Sequence, residues 1–152
     1  MIFVTVGTGR FESLVKQIDE LKGKGRIKEE VIIQLGKGEF LPKNCKYFRF
    51  SPNLNDYYDK ANIVISHGGP GTVFEILDLK KKFIAVPNKD RTDPMHQVEY
   101  LREMAKTNSF LLCENIDEIG LFIEKVKKVN LKPYEQPDCK IHEVINEFME
   151  KI

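Results

Sequence analysis

The sequence predicts an α/β fold, a Rossmann-like parallel sheet with helices on both faces. Three observations carry that prediction. Short β-branched runs alternate with stretches of helical spacing over more than 100 residues. The interior runs are apolar throughout, as strands covered on both faces must be. Glycine clusters follow several of these runs directly, at Gly7 and Gly9, at Gly36 and Gly38, and at Gly68, Gly69 and Gly71. Ligands of such sheets bind where strand ends meet helix starts, which is where these clusters fall.

The elements read in order. Residues 2–6 form a buried-strand run that ends in Gly7-Thr8-Gly9. Phe11, Leu14, Val15, Ile18 and Leu21 then repeat with helical spacing until Gly23 and Gly25 stop the helix. A second strand covers residues 31–35, and a weaker alternating one covers 47–50. Asn53 or Asn55 is placed to cap a short helix running to Ala61. Ile63-Val64-Ile65 reads as a central strand, followed by a glycine turn and a helix over residues 72–79. Residues 83–86 form another strand that Pro87 ends, and residues 88–94 a polar loop. A helix over 96–105, a last strand at 110–112 and a helix carrying Ile116, Ile119, Ile123 and Val126 complete a domain spanning residues 1–130.

Residues 131–152 differ in texture. Pro133 and Pro137 mark a linker, and Ile141, Val144, Ile145, Phe148, Met149 and Ile152 form one apolar helical face. That face either packs back on its own sheet or docks on another chain.

Composition excludes several function classes. With 24 Lys+Arg against 23 Asp+Glu, no global field argues for nucleic acid or an anionic membrane. Cys45, Cys113 and Cys139 are odd in number and lack C-x-x-C spacing, so neither a disulfide framework nor a zinc site is expected. A reducing, cytoplasmic setting is the simplest reading. The opening residues read as a strand and not as a signal peptide. No apolar run reaches the roughly 20 residues of a membrane span. There is no D-x-D pair and no His/Cys cluster at ligand spacing, so no metal is expected.

The chemistry concentrates in Ser66-His67-Gly68-Gly69-Pro70-Gly71-Thr72-Val73-Phe74-Glu75. A strand ends in a glycine turn and opens a helix, whose free N–H groups and dipole make an anion cradle. Thr72 adds a hydroxyl near the helix start. Glu75 lies one turn further on, placed to accept hydrogen bonds from the vicinal hydroxyls of a ribose. The dinucleotide fingerprint G-x-G-x-x-G and the P-loop G-x-x-x-x-G-K-[ST] are both absent, so neither an NAD enzyme nor a P-loop ATPase is supported.

This motif resembles the donor-site signature of inverting glycosyltransferases of the two-Rossmann-domain (GT-B) class, especially the C-terminal domain of glycosyltransferase family 28. The resemblance implies that His67 and Thr72 face a diphosphate and that Glu75 holds a ribose. Ser66, Gly68, Gly69 and Gly71 then complete the donor site. A second match is Val86-Pro87 followed, after a polar loop, by His96-Gln97, a pair that in the resembling families contacts the donor sugar. Lys89-Asp90-Arg91-Thr92-Asp93 fits no pattern of that class. A third match is Val4-Thr5-Val6-Gly7-Thr8 with Phe11 and Leu14, which looks like the opening of small donor-binding subunits and adds Gly7 and Thr8 to the site. Such subunits serve the UDP-N-acetylglucosamine transferase of lipid-linked oligosaccharide synthesis and its exopolysaccharide counterparts.

The resemblance implies a UDP-sugar as donor substrate, no other cofactor, and a membrane-associated partner subunit that holds a lipid-linked acceptor. That partner would bring the chain to the cytoplasmic face of the membrane. No general base for the acceptor hydroxyl is found in the sequence, so the expected activity requires the partner. A non-catalytic α/β nucleotide- or phosphate-binding interaction module is the alternative. It needs the glycines but has no use for Glu75 or His96-Gln97.

Overall fold

A computed structural model describes residues 1–90, 95–136, 138 and 140–150. Six parallel strands form one sheet in the order β3-β2-β1-β4-β5-β6. The strands are β1 (Ile2–Thr5), β2 (Val31–Gln34), β3 (Lys46–Phe48), β4 (Ile63–His67), β5 (Lys82–Val86) and β6 (Leu111–Leu112). Between and after them run α1 (Glu12–Gly23), α2 (Asn55–Lys60), α3 (Pro70–Asp78), α4 (Met95–Ala105), α5 (Ile119–Lys128) and α6 (Ile141–Met149). The predicted α/β class is what the structure shows.

The two-residue alternation of the strands explains both layers. Ile2 and Val4 of β1, Ile63 and Ile65 of β4, and Ile84 and Val86 of β5 face α1 and α5, where Leu14, Ile18, Ile119 and Ile123 close the core. Phe3, Val64, Phe83 and Ala85 face the other way, toward Tyr58 of α2, Val73 and Ile76 of α3, and Leu101 of α4. Both faces are buried, which is why the strands read as unbroken apolar runs.

The sheet order has a consequence for function. The chain winds outward from β1 through β2 to β3, then returns to pair β4 with β1 on its other side. The carboxyl ends of β1 and β4 therefore flank the topological switch point, where a crevice opens and ligands of such sheets bind. Thr5 of β1 pairs with Ser66 of β4, one residue before His67.

Two local expectations are corrected. The helix after the glycine turn begins at Pro70 and not at Thr72, because proline's fixed φ suits the first helical position, where its missing N–H goes unused. Leu54 holds the cap position of α2. Asn53 sits one residue outside and accepts a hydrogen bond from the Asn55 N–H at 2.8 Å. Of the two settings open to the α6 face, the described side chains fit the unpacked one: Ile141, Ile145, Phe148 and Met149 are all exposed. Pro137, Cys139, Ile152 and the Arg91–Asp93 stretch lie outside the described residues, and of Val144 only the backbone is described.

Among the described residues no helix is long and apolar enough to cross a membrane. Cys45 and Cys113 are unpaired and buried. Burial first, then a neighbouring carboxylate, pushes both thiols up to about 12, so neither is a thiolate nucleophile at neutral pH.

Candidate functional site

Two glycine turns meet at the switch point. After β1 the chain turns at Gly7, whose φ is +66°, and its N–H donates to Thr5 Oγ1 at 3.2 Å. Thr5 is itself fixed, donating to Gln34 Oε1 of β2 at 2.5 Å. Gly36, with φ +56°, lies against the carbonyl oxygens of Gly7 and Gly9, so that a methyl group there would collide with backbone. Lys37 N–H completes the join by donating to Gly9 O at 2.7 Å.

Across the crevice, β4 ends in His67 and α3 opens at Gly69. The imidazole lies in a slot between the two turns. A Cβ at Gly7 would come within 2.8 Å of His67 Cε1, and one at Gly69 within 2.5 Å of Nε2. Ser66 is fully buried beneath it; its hydroxyl donates to His67 O at 3.1 Å and lies 3.5 Å from Nδ1. The glycines thus do two jobs. Gly7 and Gly69 make room for the ring, and Gly68 makes room for Leu101 of α4, whose Cδ1 would lie 2.5 Å from a Cβ there. Gly71 is different: it is exposed, and a Cβ would meet nothing within 4 Å.

One cleft, of about 480 Å³, brings together Gly7, Thr8, His67, Thr72 and Glu75. Its far wall is the segment from Phe50 to Asn55, with Tyr58 beside it. An adjoining cleft of about 430 Å³ shares Thr8 and His67 and adds Gly9, Arg10, Asn88 and Asp90. Thr8 and His67 therefore stand at the junction of two compartments, next to the amino end of α3. An anion bound there would meet the helix N–H groups and the positive end of its dipole.

The remaining predicted residues separate from this cleft. His96 and Gln97 line a third depression of about 670 Å³, with Gly68, Gly69 and Pro70, on the other side of the α3 start. His96 is exposed. Gln97 is buried and its Oε1 accepts from the Asn88 N–H at 2.9 Å, which holds the loop after β5 against the glycine turn.

Sequence reasoning missed how that loop is fastened. Asn88 Nδ2 donates to Arg10 O at 2.8 Å, and the Asp90 N–H donates to Asn88 Oδ1 at 3.1 Å. The Asp90 carboxylate accepts from Ser13 Oγ at 2.7 Å and from the Ser13 N–H at 3.0 Å, placing a negative charge on the first turn of α1. Local sequence carries no signal of a tie between residues 77 positions apart. The wall at Phe50–Asn55 was also unassigned. Its clue was an exposed aromatic followed by Ser-Pro-Asn ahead of a short helix.

Among the described residues no group of three or more His, Cys, Asp or Glu side chains could hold a metal ion. The site offers hydrogen-bond donors and a dipole to an anion, with a carboxylate one helical turn away.

Comparison with known proteins agrees with this geometry. The chain is 28% identical over 123 residues to the "UDP-N-acetylglucosamine transferase subunit ALG13" of Homo sapiens, covering 74% of this chain and 11% of that protein. It is 28% identical over 140 residues to the Yarrowia lipolytica protein of the same name, covering 84% of this chain and 70% of that one. A Thermosipho melanesiensis protein, named as the transferase of N-acetylglucosamine to pyrophosphoryl-undecaprenol N-acetylmuramyl-(pentapeptide), is 28% identical over 128 residues, covering 83% of this chain and 38% of that protein. The chain thus spans only a small part of some of these relatives. In fold it matches MurG of Acinetobacter baumannii with TM-score 0.65 at 15% identity, covering 99% of this chain and 49% of that one. It matches a solution structure of ALG13 with TM-score 0.62 at 20% identity, covering 95% and 93%. This is the fold of the C-terminal half of GT-B glycosyltransferases. Residues 1–152 match the glycosyltransferase family 28 C-terminal domain from end to end, and the chain belongs to that family.

Proposed function

We propose that this chain is the donor-binding subunit of an inverting glycosyltransferase, holding UDP-N-acetylglucosamine for a lipid-linked acceptor carried by a partner subunit. The observation that carries this reading is the cleft at the switch point, which joins the α3 amino end, Thr8, His67 and Thr72 to the Glu75 carboxylate. The diphosphate lies at the helix start and Glu75 accepts from the ribose hydroxyls. The sugar extends past His67 toward Asn88 and Asp90, in the adjoining compartment. In transfer, the same N–H groups stabilise the charge that develops on the departing UDP, without a metal. The donor identity is supported by the printed names of the human, Yarrowia and Thermosipho relatives, all N-acetylglucosamine transferases or their subunits.

The general base for the acceptor hydroxyl is assigned to the partner subunit, so the chain is proposed to be inactive alone. The exposed apolar face of α6 gives the partner a place to dock. The partner in turn holds the complex at the cytoplasmic face of the membrane. The second reading, a non-catalytic nucleotide-binding module, draws on one observation: the Gln97 carbonyl is engaged by Asn88 and not turned toward the donor cleft.

The test is an NMR titration of the isolated chain with UDP, UDP-N-acetylglucosamine and UDP-glucose, with Glu75→Ala alongside. Half-sites bind at about millimolar strength, worth about 4 kcal/mol. Shifts over residues 66–75 and 88–90 that Glu75→Ala loses support the reading. Equal response of the variant to all three nucleotides would favour the binding module.

A further inference from the structure

Tyr58 is fully buried in α2, its ring edge-on to Phe3 with centroids 5.4 Å apart. Core packing accounts for the ring, and phenylalanine would fill the same space. It does not account for the hydroxyl, which closes no full-strength hydrogen bond among the described residues although the Glu75 carboxylate acts on it as a nearby acceptor. Buried side-chain polar atoms are nearly always satisfied, and exceptions concentrate where a ligand or a functional group supplies the partner.

Tyr58 lines the donor cleft together with Thr72 and Glu75, and the Glu75 carboxylate lies beside its hydroxyl. Burial, and after it the negative charge of Glu75, pushes the phenol's pKa up. The group is therefore a neutral donor at physiological pH, with a carboxylate beside it. Glu75 is exposed and makes no salt bridge to a described residue. A glutamate on a helix surface samples several rotamers unless a neighbour holds it, and a bidentate contact with a vicinal diol needs one of them.

We propose that Tyr58 is a positioning residue for ribose recognition: as a nucleotide enters, its hydroxyl donates to one Glu75 oxygen and fixes the carboxylate toward the 2′- and 3′-hydroxyls. The inference rests on the reading that Glu75 holds the ribose, and it adds the group that orients Glu75. It makes the preference for ribonucleotides depend on a residue that never touches the nucleotide.

The experiment is an NMR titration of the full chain with UDP and with 2′,3′-dideoxy-UDP, which lacks both hydroxyls. The proteins are the unmodified chain, Tyr58→Phe, Glu75→Ala and the double variant. Tyr58→Phe is expected to weaken UDP binding by about fivefold and to leave dideoxy-UDP binding within about twofold. In the Glu75→Ala background it is expected to change neither. Its thermal midpoint should equal or exceed that of the unmodified chain, since the variant removes a stranded hydroxyl and keeps the ring. Unchanged UDP affinity in Tyr58→Phe, with Glu75→Ala still defective, overturns the positioning role and leaves the ribose reading intact. Equal weakening of both nucleotides, or a full additional loss in the double variant, assigns Tyr58 to pocket shape and also overturns it. Full UDP affinity in Glu75→Ala overturns the ribose reading and this inference together.

Discussion

Replacing Gly71 with alanine should stabilise the fold and damage the site, and the opposite signs make the substitution informative. Gly71 lies in the first turn of α3 with no positive φ, so alanine adopts its backbone conformation without strain. A Cβ there meets no protein atom within 4 Å. Exchanging glycine for alanine in a helix is worth about 0.5–1 kcal/mol, through the smaller entropy of the unfolded chain. For a domain of this size that raises the midpoint by about 1–4 °C. On the proposed function this open space is where a diphosphate would reach the helix N–H groups, and a methyl group in it would hold the phosphate away. A tenfold loss of UDP affinity, about 1.4 kcal/mol, is the expected minimum. Thermal unfolding and an NMR titration on the same sample read both quantities. A parallel Gly69→Ala sample should lose stability, because its Cβ would strike the His67 ring. Unchanged UDP affinity in Gly71→Ala would refute the placement of the phosphate. A lowered midpoint would refute the claim that the glycine is kept for the ligand and not for the fold.

Other perturbations test other parts of the structure. The buried Asp19 carboxylate accepts from the N–H groups of Lys43, Asn44 and Cys45 at 2.7–3.1 Å and so shapes the entry to β3. Burial raises its pKa but these donors outweigh it, and the net shift is downward from 3.8. The stability it confers is therefore complete above the unfolded value and is lost as pH falls through the lower folded one. Asp19→Ala should cost about 2–3 kcal/mol at pH 7 by chemical denaturation and flatten the acid limb of the stability profile. Asp90→Ala frees the loop after β5 from Ser13; titration should show weaker binding of UDP-N-acetylglucosamine, with UDP affinity nearly unchanged. Thiol reagents should leave Cys45 and Cys113 unmodified in the native protein and label both in denaturant, as mass spectrometry would show. A chain ending after residue 136 should keep its midpoint and its UDP affinity, since the α6 side chains rest on no core. A large loss of stability on that truncation would show that α6 packs in solution.

Much of the fold was legible because the sheet is buried on both sides. An apolar run ended by glycine or proline has few alternatives, and β1, β4 and β5 fall where the runs at residues 2–6, 63–65 and 83–86 predict them. The motif residues Gly7, Thr8, His67, Thr72 and Glu75 also share one cleft. The strand order was not legible. The return from β3 to pair β4 with β1 depends on contacts far apart in sequence, and no local pattern encodes it. The same holds for the Asp90–Ser13 tie and for the cleft wall at Phe50–Asn55. Of the adjacent pair Tyr57 and Tyr58, only the packing shows which residue lines the cleft. The α6 pattern fixed a helix but not its neighbour, because an amphipathic face reads the same whether its partner is the same chain or another.

The position of His67 explains why two distant glycine turns belong to one site. Its ring fills the slot between the turn after β1 and the start of α3, within 2.5–2.8 Å of where side chains at Gly69 and Gly7 would begin. A bulkier residue in either turn moves the ring, and moving the ring changes both compartments, since His67 lines each. On the proposed function, one side chain held by backbone on two sides would couple the diphosphate to the sugar. The β1 turn is in turn locked to β2 through Thr5 and Gln34 and through the Gly36 contact with Gly7 and Gly9. Rigidity at the switch point is therefore built from strand pairing and close backbone approach. The exposed groups, Glu75 and Gly71, are the ones that the proposed function has a nucleotide reach.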